Sequence, residues 1–396
     1  MDFSALYKTH AATLTARLTR QFGPHRLEAV ECGVQDAFAK AMVSWPRRGV
    51  PEEPRAWLHV VARNAVLDQL RAHAKFDDQP IGGSVEAPAV TFEEEPDEVI
   101  AMMFVTCHPS LQLASRVALT LRTLCGFEVD EIAAALLATP QTVEKRLVRA
   151  RKRLRDEGIT FELPAADERS RRLESVLAVL YLLFNEGYAS LATDERVRRD
   201  LVDEALRLTG LLLPIGDPRV NALLALMCLH ASRLDARVGS DGVPRLLEEQ
   251  DRRLWDRELI ALGLQHLAAS ASGPLTRWHL EAGIAAAHAT APDFASTDWA
   301  GIVGYYDQLI ARTPSAVLGL NRAVALGFAL GPEAGLAALD ALEPELAEGG
   351  LFHAARGDVL RRLGRIDPAR AAYARALERV RTEPERRHLR RQLADL

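Results

Sequence analysis

Residues 120–155 read TLRTLCGFEVDEIAAALLATPQTVEKRLVRARKRLR, and the organisation of the chain is clearest here. Two helical patterns, at about 128–138 and 140–155, meet at Thr139 and Pro140. Threonine caps a helix with its hydroxyl, and proline fits the first helical position because no donor is lost there. The stretch therefore predicts a helix-turn-helix.

The second helix of this pair is amphipathic and strongly basic. Val143, Leu147, Ala150 and Leu154 recur at helical spacing and predict an apolar stripe that docks on the first helix. Seven lysines and arginines oppose one glutamate between 140 and 155, although the whole chain carries a net charge of −5. Such a field attracts phosphate, and a rod of roughly 24 Å fits the major groove. The DNA-binding residues predicted on it are Gln141, Thr142, Lys145, Arg146, Arg149, Lys152 and Arg153.

The composition predicts a helical protein of several domains. The 396 residues suggest two to four domains, and a chain rich in alanine and leucine, with 6% aromatic residues, favours helices over strands. No signal peptide or membrane-length apolar run is evident, so we expect a cytoplasmic protein. The four cysteines are widely spaced, and Cys107-His108 offers half of a metal site at most, so no metal or other cofactor is expected.

The first 75 residues read as a small helical domain with helices at about 3–21, 26–44 and 54–74. The third helix and the loop before it combine positive charge with an aromatic side chain, Trp57. Cations beside an aromatic ring suit unstacked bases of a single strand, although a tryptophan at this position can also belong to the core. The residues predicted for a melted strand are Arg55, Trp57, Arg63, Asn64 and Arg71.

Residues 76–97 differ abruptly from their surroundings, since they are rich in aspartate and glutamate and contain no lysine or arginine. We interpret them as a flexible acidic linker. A second small helical domain follows at 98–158 and ends in the helix-turn-helix.

These two domains resemble bacterial sigma factors of the extracytoplasmic-function (ECF) class. The resemblance rests on VQDAFAKAM (34–42), WLHVVARNAVLDQLR (57–71) and the basic helix-turn-helix after an acidic linker. One departure is Cys32-Gly33, where an acidic residue and alanine are more usual. Because glycine inside a helix costs about 1 kcal/mol, we expect this helix to be softer.

The resemblance implies a role for each element. The helix at 34–42 would contact core RNA polymerase through Gln35, Asp36 and Phe38. The helix at 57–71 would melt the promoter hexamer upstream of the start, with Asn64 facing a flipped base. The helix at 140–155 would read promoter DNA near minus thirty-five.

The chain continues for more than 230 residues beyond this resemblance to a minimal sigma factor. We expect 159–396 to be an all-helical extension, with tetratricopeptide-like repeats at about 275–380. Gly357, Leu360, Gly364, Ala369 and Tyr373 have the spacing of that repeat. The predicted fold is all-α: two small helical domains and a superhelical C-terminal domain. The extension resembles that of one ECF group with a long tetratricopeptide-like domain, through YLLFNEGY (181–188), LALMCLHASR (224–233), LLEEQDRRLWD (246–256) and LNRAVAL (320–326).

Polar residues interrupt the apolar helices of this extension, and buried polar groups need partners. Two interpretations stay open: a polar network that fixes the superhelix, or a pocket for a ligand or for the sigma domains. The residues concerned are Asn185, Glu186, Tyr188, His230, Arg233, Gln250, Asp251, Arg252, Trp255, Asn321 and Arg322.

No catalytic motif was found, and the histidines of WHLEAGIAAAH (278–288) lack the spacing of a zinc protease. We therefore expect no enzyme and no catalytic residue. The leading hypothesis is a sigma factor whose partners are core RNA polymerase and promoter DNA, with the extension contacting the sigma domains or another protein. The alternative is a duplex-DNA-binding regulator with a helical-repeat sensor domain that never joins polymerase. An interaction scaffold without a DNA role would leave the basic helix unexplained.

Overall fold

The structure is a computed structural model that describes residues 3–74, 96–189, 195–239, 243–380 and 382–396. Within these ranges the regular elements are helices, and the nearest approach to a sheet is an isolated antiparallel bridge between Val238 and Pro244. The chain divides into two compact units, Met1–Glu186 and Gly187–Leu396. The predicted all-α class is confirmed.

The first unit contains seven helices and most of an eighth among its described residues. They are α1 (Phe3–Phe22), α2 (Leu27–Arg48), α3 (Pro54–Ala74), α4 (Pro96–Thr106), α5 (Leu113–Leu124), α6 (Val129–Ala135), α7 (Pro140–Asp156) and α8 (Ala166–Ala189). Helices α1, α2 and α3 enclose a core that includes Leu18, Val30, Val34, Leu58 and Val66. The three helices predicted for the first domain are therefore present at the expected positions.

Gly33 lies where α2 and α3 pack closely. A Cβ atom built on Gly33 would come within 2.5 Å of Val66 Cγ2 and 2.9 Å of the Ala62 carbonyl oxygen. This glycine permits the close approach of two helices, and the expectation of a softened helix stays a prediction. The propensity cost is offset by contact that a larger residue would prevent.

Replacing Gly33 with alanine is expected to lower the free energy of unfolding by about 1–3 kcal/mol, because the Ala62 backbone must move. Gly304 is the matched control, since it is also helical but a Cβ there meets nothing within 4 Å. The Gly304→Ala change should raise stability by about 0.5–1 kcal/mol. Urea denaturation of both variants checks this, and a stabilised Gly33→Ala protein would contradict the packing argument.

The second predicted domain is not separate from the first. Helices α4 and α5 both pack against α1, and the beginning of α8 packs on the same unit. Arg172 Nη2 donates to the Phe104 carbonyl at 2.7 Å, and Ser175 Oγ donates to the Cys107 carbonyl at 2.6 Å. The compact unit therefore extends past the predicted boundary at residue 158. Most of the predicted acidic linker, residues 76–95, lies outside the described residues.

The second unit is a succession of helices in which many neighbours along the chain pack against each other. Its described helices are α9 (Glu195–Leu211), α10 (Pro218–Ala231), α11 (Arg257–Ala269), α12 (Arg277–Thr290), α13 (Trp299–Arg312), α14 (Ala316–Ala329), α15 (Pro332–Asp340), α16 (Glu343–Leu346), α17 (Gly350–Arg362), α18 (Ile366–Arg379) and α19 (Glu383–Ala394). Helices α14 and α15 approach so closely that a Cβ on Gly335 would lie 2.8 Å from the Gly327 Cα. Helix pairs thus occupy the predicted repeat region, and the tetratricopeptide assignment itself stays a prediction.

Candidate nucleic-acid interface

The turn between α6 and α7 is built by local capping. The Glu128 backbone N–H donates to the Glu131 carboxylate at 2.8 Å at the start of α6. Leu137 takes a positive φ of 47° after α6. Thr139 then caps α7, its hydroxyl oxygen accepting from the Thr142 backbone N–H at 3.2 Å. These contacts fix where α7 begins and confirm the predicted junction.

Helix α7 buries one face and exposes the other, as predicted. Val143, Leu147, Ala150 and Leu154 are all buried, and the helix packs on α5 and α6. Gln141, Lys145, Arg149 and Lys152 are exposed. An exposed cationic face on a rigidly docked helix is suited to phosphate and base edges in a groove.

The remaining predicted residues of α7 are less uniform. Thr142 and Arg146 are partly buried, and exposed Arg153 forms an ion pair with Glu157 at 2.5 Å. Sequence reasoning missed Val148, an outward-facing apolar side chain that is 58% exposed. Its signal was its position between the outward-facing residues 145 and 149.

Arg151 is the one basic residue of α7 that points into the unit instead of outward. Its guanidinium forms an ion pair with the buried carboxylate of Glu31 on α2. Burial raises the pKa of Glu31, and the charge of Arg151 opposes that rise. The pair joins the helix-turn-helix to the first domain through residues 120 positions apart.

Further polar contacts support the same arrangement. Glu98 on α4 forms ion pairs with Arg17 at 3.4 Å and with Arg20 at 3.0 Å, both on α1. Gln35 Nε2 on α2 donates to the Glu128 carboxylate at 3.0 Å. The two small domains are thus held together at several points, which the sequence did not predict.

The residues predicted for a melted strand lie along α3. Arg55, Trp57 and Arg63 are partly buried, whereas Asn64 and Arg71 are exposed. Trp57 packs edge-on against Trp45, with ring centroids 5.5 Å apart, and Arg71 pairs with Asp68 at 3.3 Å. The indole is therefore anchored on one side by the core.

A cleft of about 590 Å³ lies beside Trp57. It brings together residues of α2 that the sequence analysis treated separately from α3 or did not single out. Its lining side chains include Asp36, Lys40, Val43, Arg47, Arg48 and Trp57. An aromatic ring and three cations therefore face one cleft.

The residues predicted to contact polymerase have different environments. Asp36 is exposed and Gln35 is partly buried. Phe38, however, is only 4% exposed and packs edge-on against Tyr7 with centroids 4.8 Å apart. The expectation of a surface role for Phe38 is corrected: apolar periodicity places it on the core face of α2.

Comparison with known proteins agrees with this geometry. Residues 6–76 match the family Sigma-70 region 2, and residues 101–154 match Sigma-70, region 4. The chain belongs to the sigma-70 family. Residues 172–271 of the sigma factor match a third family, described as a family of unknown function, DUF6596. This is the organisation of an ECF-type sigma factor with a C-terminal extension.

A relative aligns with the sigma factor over nearly its whole length. The sigma factor is 37% identical over 385 residues to an uncharacterized protein of Rhizobium meliloti (strain 1021). The alignment covers 93% of this chain and 90% of the relative. No solved structure matches the sigma factor.

Part of the polar set predicted in the extension forms a network. Arg233 Nη2 donates to the Tyr188 hydroxyl at 2.6 Å and lies 3.2 Å from His230 Nδ1. Arg237, which the sequence analysis did not single out, lies 3.8 Å from the Tyr188 ring centroid and bonds to the Tyr188 carbonyl. For Tyr188, His230 and Arg233, these contacts favour the interpretation as a polar network over the interpretation as a pocket.

The other predicted residues of the extension do not join that network. Arg252 donates to the carbonyls of His288 and Ala291 at 2.9 and 2.6 Å and lies over Trp255. Asp251 pairs with Arg253, and Gln250 donates to the Arg245 carbonyl. Arg322 pairs with Asp307, whereas Asn321 lines a separate cavity. Asn185 and Glu186 lie in the first unit. The set is therefore not one site.

His288 gives the second unit an acid-sensitive stability. Burial, followed by the charges of Arg233 and Arg252, lowers its pKa from 6.5 to about 4. Because the folded protein favours the neutral imidazole, His288 contributes its full stabilisation above pH 6.5. This stabilisation is lost as the pH falls toward 4. The loss is about 3 kcal/mol for a shift of this size.

We expect urea denaturation of the full chain, followed by tryptophan fluorescence, to show this loss between pH 6.5 and 4. The His288→Gln variant should lose less stability over the same window, because its side chain does not titrate there. An identical pH dependence in the two proteins would contradict the assignment.

The described residues carry neither a metal cluster nor a membrane span. No group of three or more histidine, cysteine, aspartate or glutamate side chains in these ranges is placed to hold a metal ion. Cys107 is buried, and its sulfur lies near the hydroxyls of Thr106 and Thr120 at 3.8 and 3.6 Å. No described helix is long and apolar enough to cross a bilayer.

Proposed function

We propose that this sigma factor belongs to the ECF class, binds core RNA polymerase, directs it to particular promoters and helps to open the duplex. It acts without a catalytic residue or cofactor of its own. The observation that carries the proposal is the order of the two matched sigma regions together with the exposed cationic face of α7.

Duplex recognition is assigned to α7. Its 17 residues form a rod of roughly 25 Å. Gln141 is suited to adenine, and Lys145 and Arg149 are suited to guanine or to phosphate. The exposed Val148 side chain is suited to the methyl group of thymine.

Melted-strand capture is assigned to the first domain. Trp57 presents an aromatic surface at the cleft that Lys40, Arg47 and Arg48 also line. Aromatic stacking contributes about 1–3 kcal/mol per base, and the cations attract the backbone. Asn64 is exposed on α3 and would hydrogen-bond a base taken out of the stack.

Polymerase contact is assigned to the exposed side of α2, with Asp36 as its central residue and Gln35 beside it. Gln35 is bonded to Glu128 in the compact arrangement, so polymerase would compete with the second domain for it. Phe38 would support this surface from the core.

Promoter binding requires the two small domains to separate. The two proposed contacts lie at separate promoter elements, and each base pair between them adds about 3.4 Å of duplex. The Glu31–Arg151 pair instead holds the two domains close together. The compact arrangement is therefore a closed form that polymerase and promoter would open.

The extension is proposed to regulate this opening, by contacting the sigma domains or a further protein. Coupling of this kind is reciprocal, so a partner that favours the open form would tighten polymerase binding.

Run-off transcription with purified core polymerase and a promoter library tests the function. We expect promoter-specific transcripts only when the full chain is present. A chain that binds duplex DNA but neither associates with core polymerase nor supports transcription would instead be the duplex-binding regulator.

A further inference from the structure

The second unit contains a cavity of about 460 Å³ that the sigma function does not use. It is lined by residues of α12, α13, α14, α17, α18 and α19, and by the segment that carries Leu246, Leu247 and Glu248. Cavities of about 300–1,000 Å³ that combine an apolar lining with a few polar groups are typical of small-molecule sites. This cavity has that size and that composition.

One part of the wall is aromatic. Trp299 and Phe328 are stacked, with ring centroids 4.4 Å apart and an interplanar angle of 21°. Phe294 lies edge-on to both, at 5.1 and 5.0 Å. Together they form an apolar part of the wall against which a ring or an alkyl chain can pack.

Another part of the wall is acidic. Glu248 and Asp358 both line the cavity, and Arg361 stands beside them, with Nη2 at 2.7 Å from Asp358 and 3.9 Å from Glu248. Arg361 is not itself a lining residue, and neither is Arg362, which lies 3.9 Å from the Phe328 ring centroid. The neighbouring Glu249 is paired with Arg391.

The other ionisable groups on the wall are neutral at neutral pH. Burial lowers the pKa of His288 to about 4 and also lowers that of His388. Burial raises the pKa values of Tyr306 and Tyr373 to about 12. Burial and the charge of Asp358 raise the pKa of Glu248. A bound cation would therefore stabilise the ionised carboxylate of Glu248. The charges that a ligand meets directly are therefore negative.

We propose that this cavity binds a small organic cation, with its apolar or aromatic body on the Trp299–Phe328 surface and its amine between Glu248 and Asp358. The aromatic wall packs against the apolar body of the ligand, and the carboxylates accept charge-assisted hydrogen bonds from its ammonium group. Partial enclosure by six helices strengthens the hydrogen bonds to the ammonium group by reducing the local dielectric.

Isothermal titration calorimetry on the full chain tests the proposal with three probes of one shape. The probes are tryptamine, its neutral analogue 3-propylindole, and its anionic analogue indole-3-propionic acid. We expect tryptamine to bind at least tenfold more tightly than 3-propylindole, and indole-3-propionic acid to bind most weakly. Failure of tryptamine to bind at millimolar concentration, or tighter binding of the acid, would overturn the proposal.

Three variants assign binding to this cavity. Glu248→Gln combined with Asp358→Asn should remove the tenfold preference for tryptamine. Glu249→Gln makes the same kind of change next to the cavity and should keep it. Ala355→Phe fills the cavity and should abolish binding of tryptamine and 3-propylindole alike. Undiminished tryptamine binding by the double variant or by Ala355→Phe would place the site elsewhere and overturn the proposal.

Discussion

Exchanging Glu31 for arginine is expected to loosen the contact between the helix-turn-helix and the first domain. Glu31 is 6% exposed at its side chain, and its partner Arg151 is 17% exposed, so the change would confront two guanidinium groups with little water between them. Breaking a buried pair typically costs about 3–5 kcal/mol, and like charge adds to this cost. We therefore expect faster amide hydrogen exchange where α7 meets the first domain, and a larger radius of gyration in solution.

Two controls separate this effect from general damage. Glu28 is exposed one turn earlier on α2, so Glu28→Arg makes the same charge change and should leave the compact form intact. Combining Glu31→Arg with Arg151→Glu restores an opposite-charge pair and should restore protection. If the exchanged pair remained as open as Glu31→Arg alone, the ion pair would not be what holds the domains.

The same Glu31→Arg change should tighten promoter binding. A closed protein reaches its DNA-binding form only part of the time, and the apparent affinity falls by that fraction. Fluorescence anisotropy with a promoter duplex should therefore give a lower Kd for Glu31→Arg than for Glu28→Arg. Equal affinities would mean that the compact arrangement does not limit access to DNA.

Removing Lys145, Arg149 and Lys152 together, by alanine substitution, should nearly abolish duplex binding. Each phosphate contact contributes about 0.9 to the slope of log affinity against log salt. Losing three contacts lowers that slope by about 2.7 and weakens binding about 100-fold near 0.15 M salt. Anisotropy titrations across a salt series measure both quantities.

The matched control for this triple variant lies on α18 and its N-cap. Arg365, Arg370 and Arg375 are exposed, and their replacement by alanine removes the same charge from the chain. We expect duplex affinity to stay within about twofold, since these arginines belong to the second unit and none is assigned a DNA contact. An equal loss in both triple variants would assign DNA binding to net charge instead of to α7.

Features with a local cause were predictable from the sequence. The buried stripe and exposed face of α7 follow from a helical period within one segment, and Thr139 caps that helix within three residues. The same reasoning placed α1, α2 and α3 within a few residues of their observed bounds.

Features that depend on distant partners were not predictable. The sequence does not distinguish Arg151 from the other cations of α7, because its partner Glu31 is distant in the chain. It also does not show that Gly33 is needed where α3 packs closely on α2. The cavity depends on Trp299, Phe328 and Glu248 meeting from three parts of the chain, and nothing in their spacing announces this. Burial of the polar groups could be anticipated, but the identity of their partners could not.

Helix α8 does more than lead away from the second small domain. Arg172 and Ser175 donate to the carbonyls of Phe104 and Cys107, at the end of α4, where the last carbonyls of a helix have no N–H donor within the helix. Truncation of the chain at the predicted domain boundary, residue 158, would therefore remove these donors and destabilise the first unit. Loss of activity in such a variant would not show that the extension regulates the sigma domains. A truncation that tests the function of the extension should therefore end after Ala189, because Arg172 and Ser175 then remain bonded to the two carbonyls.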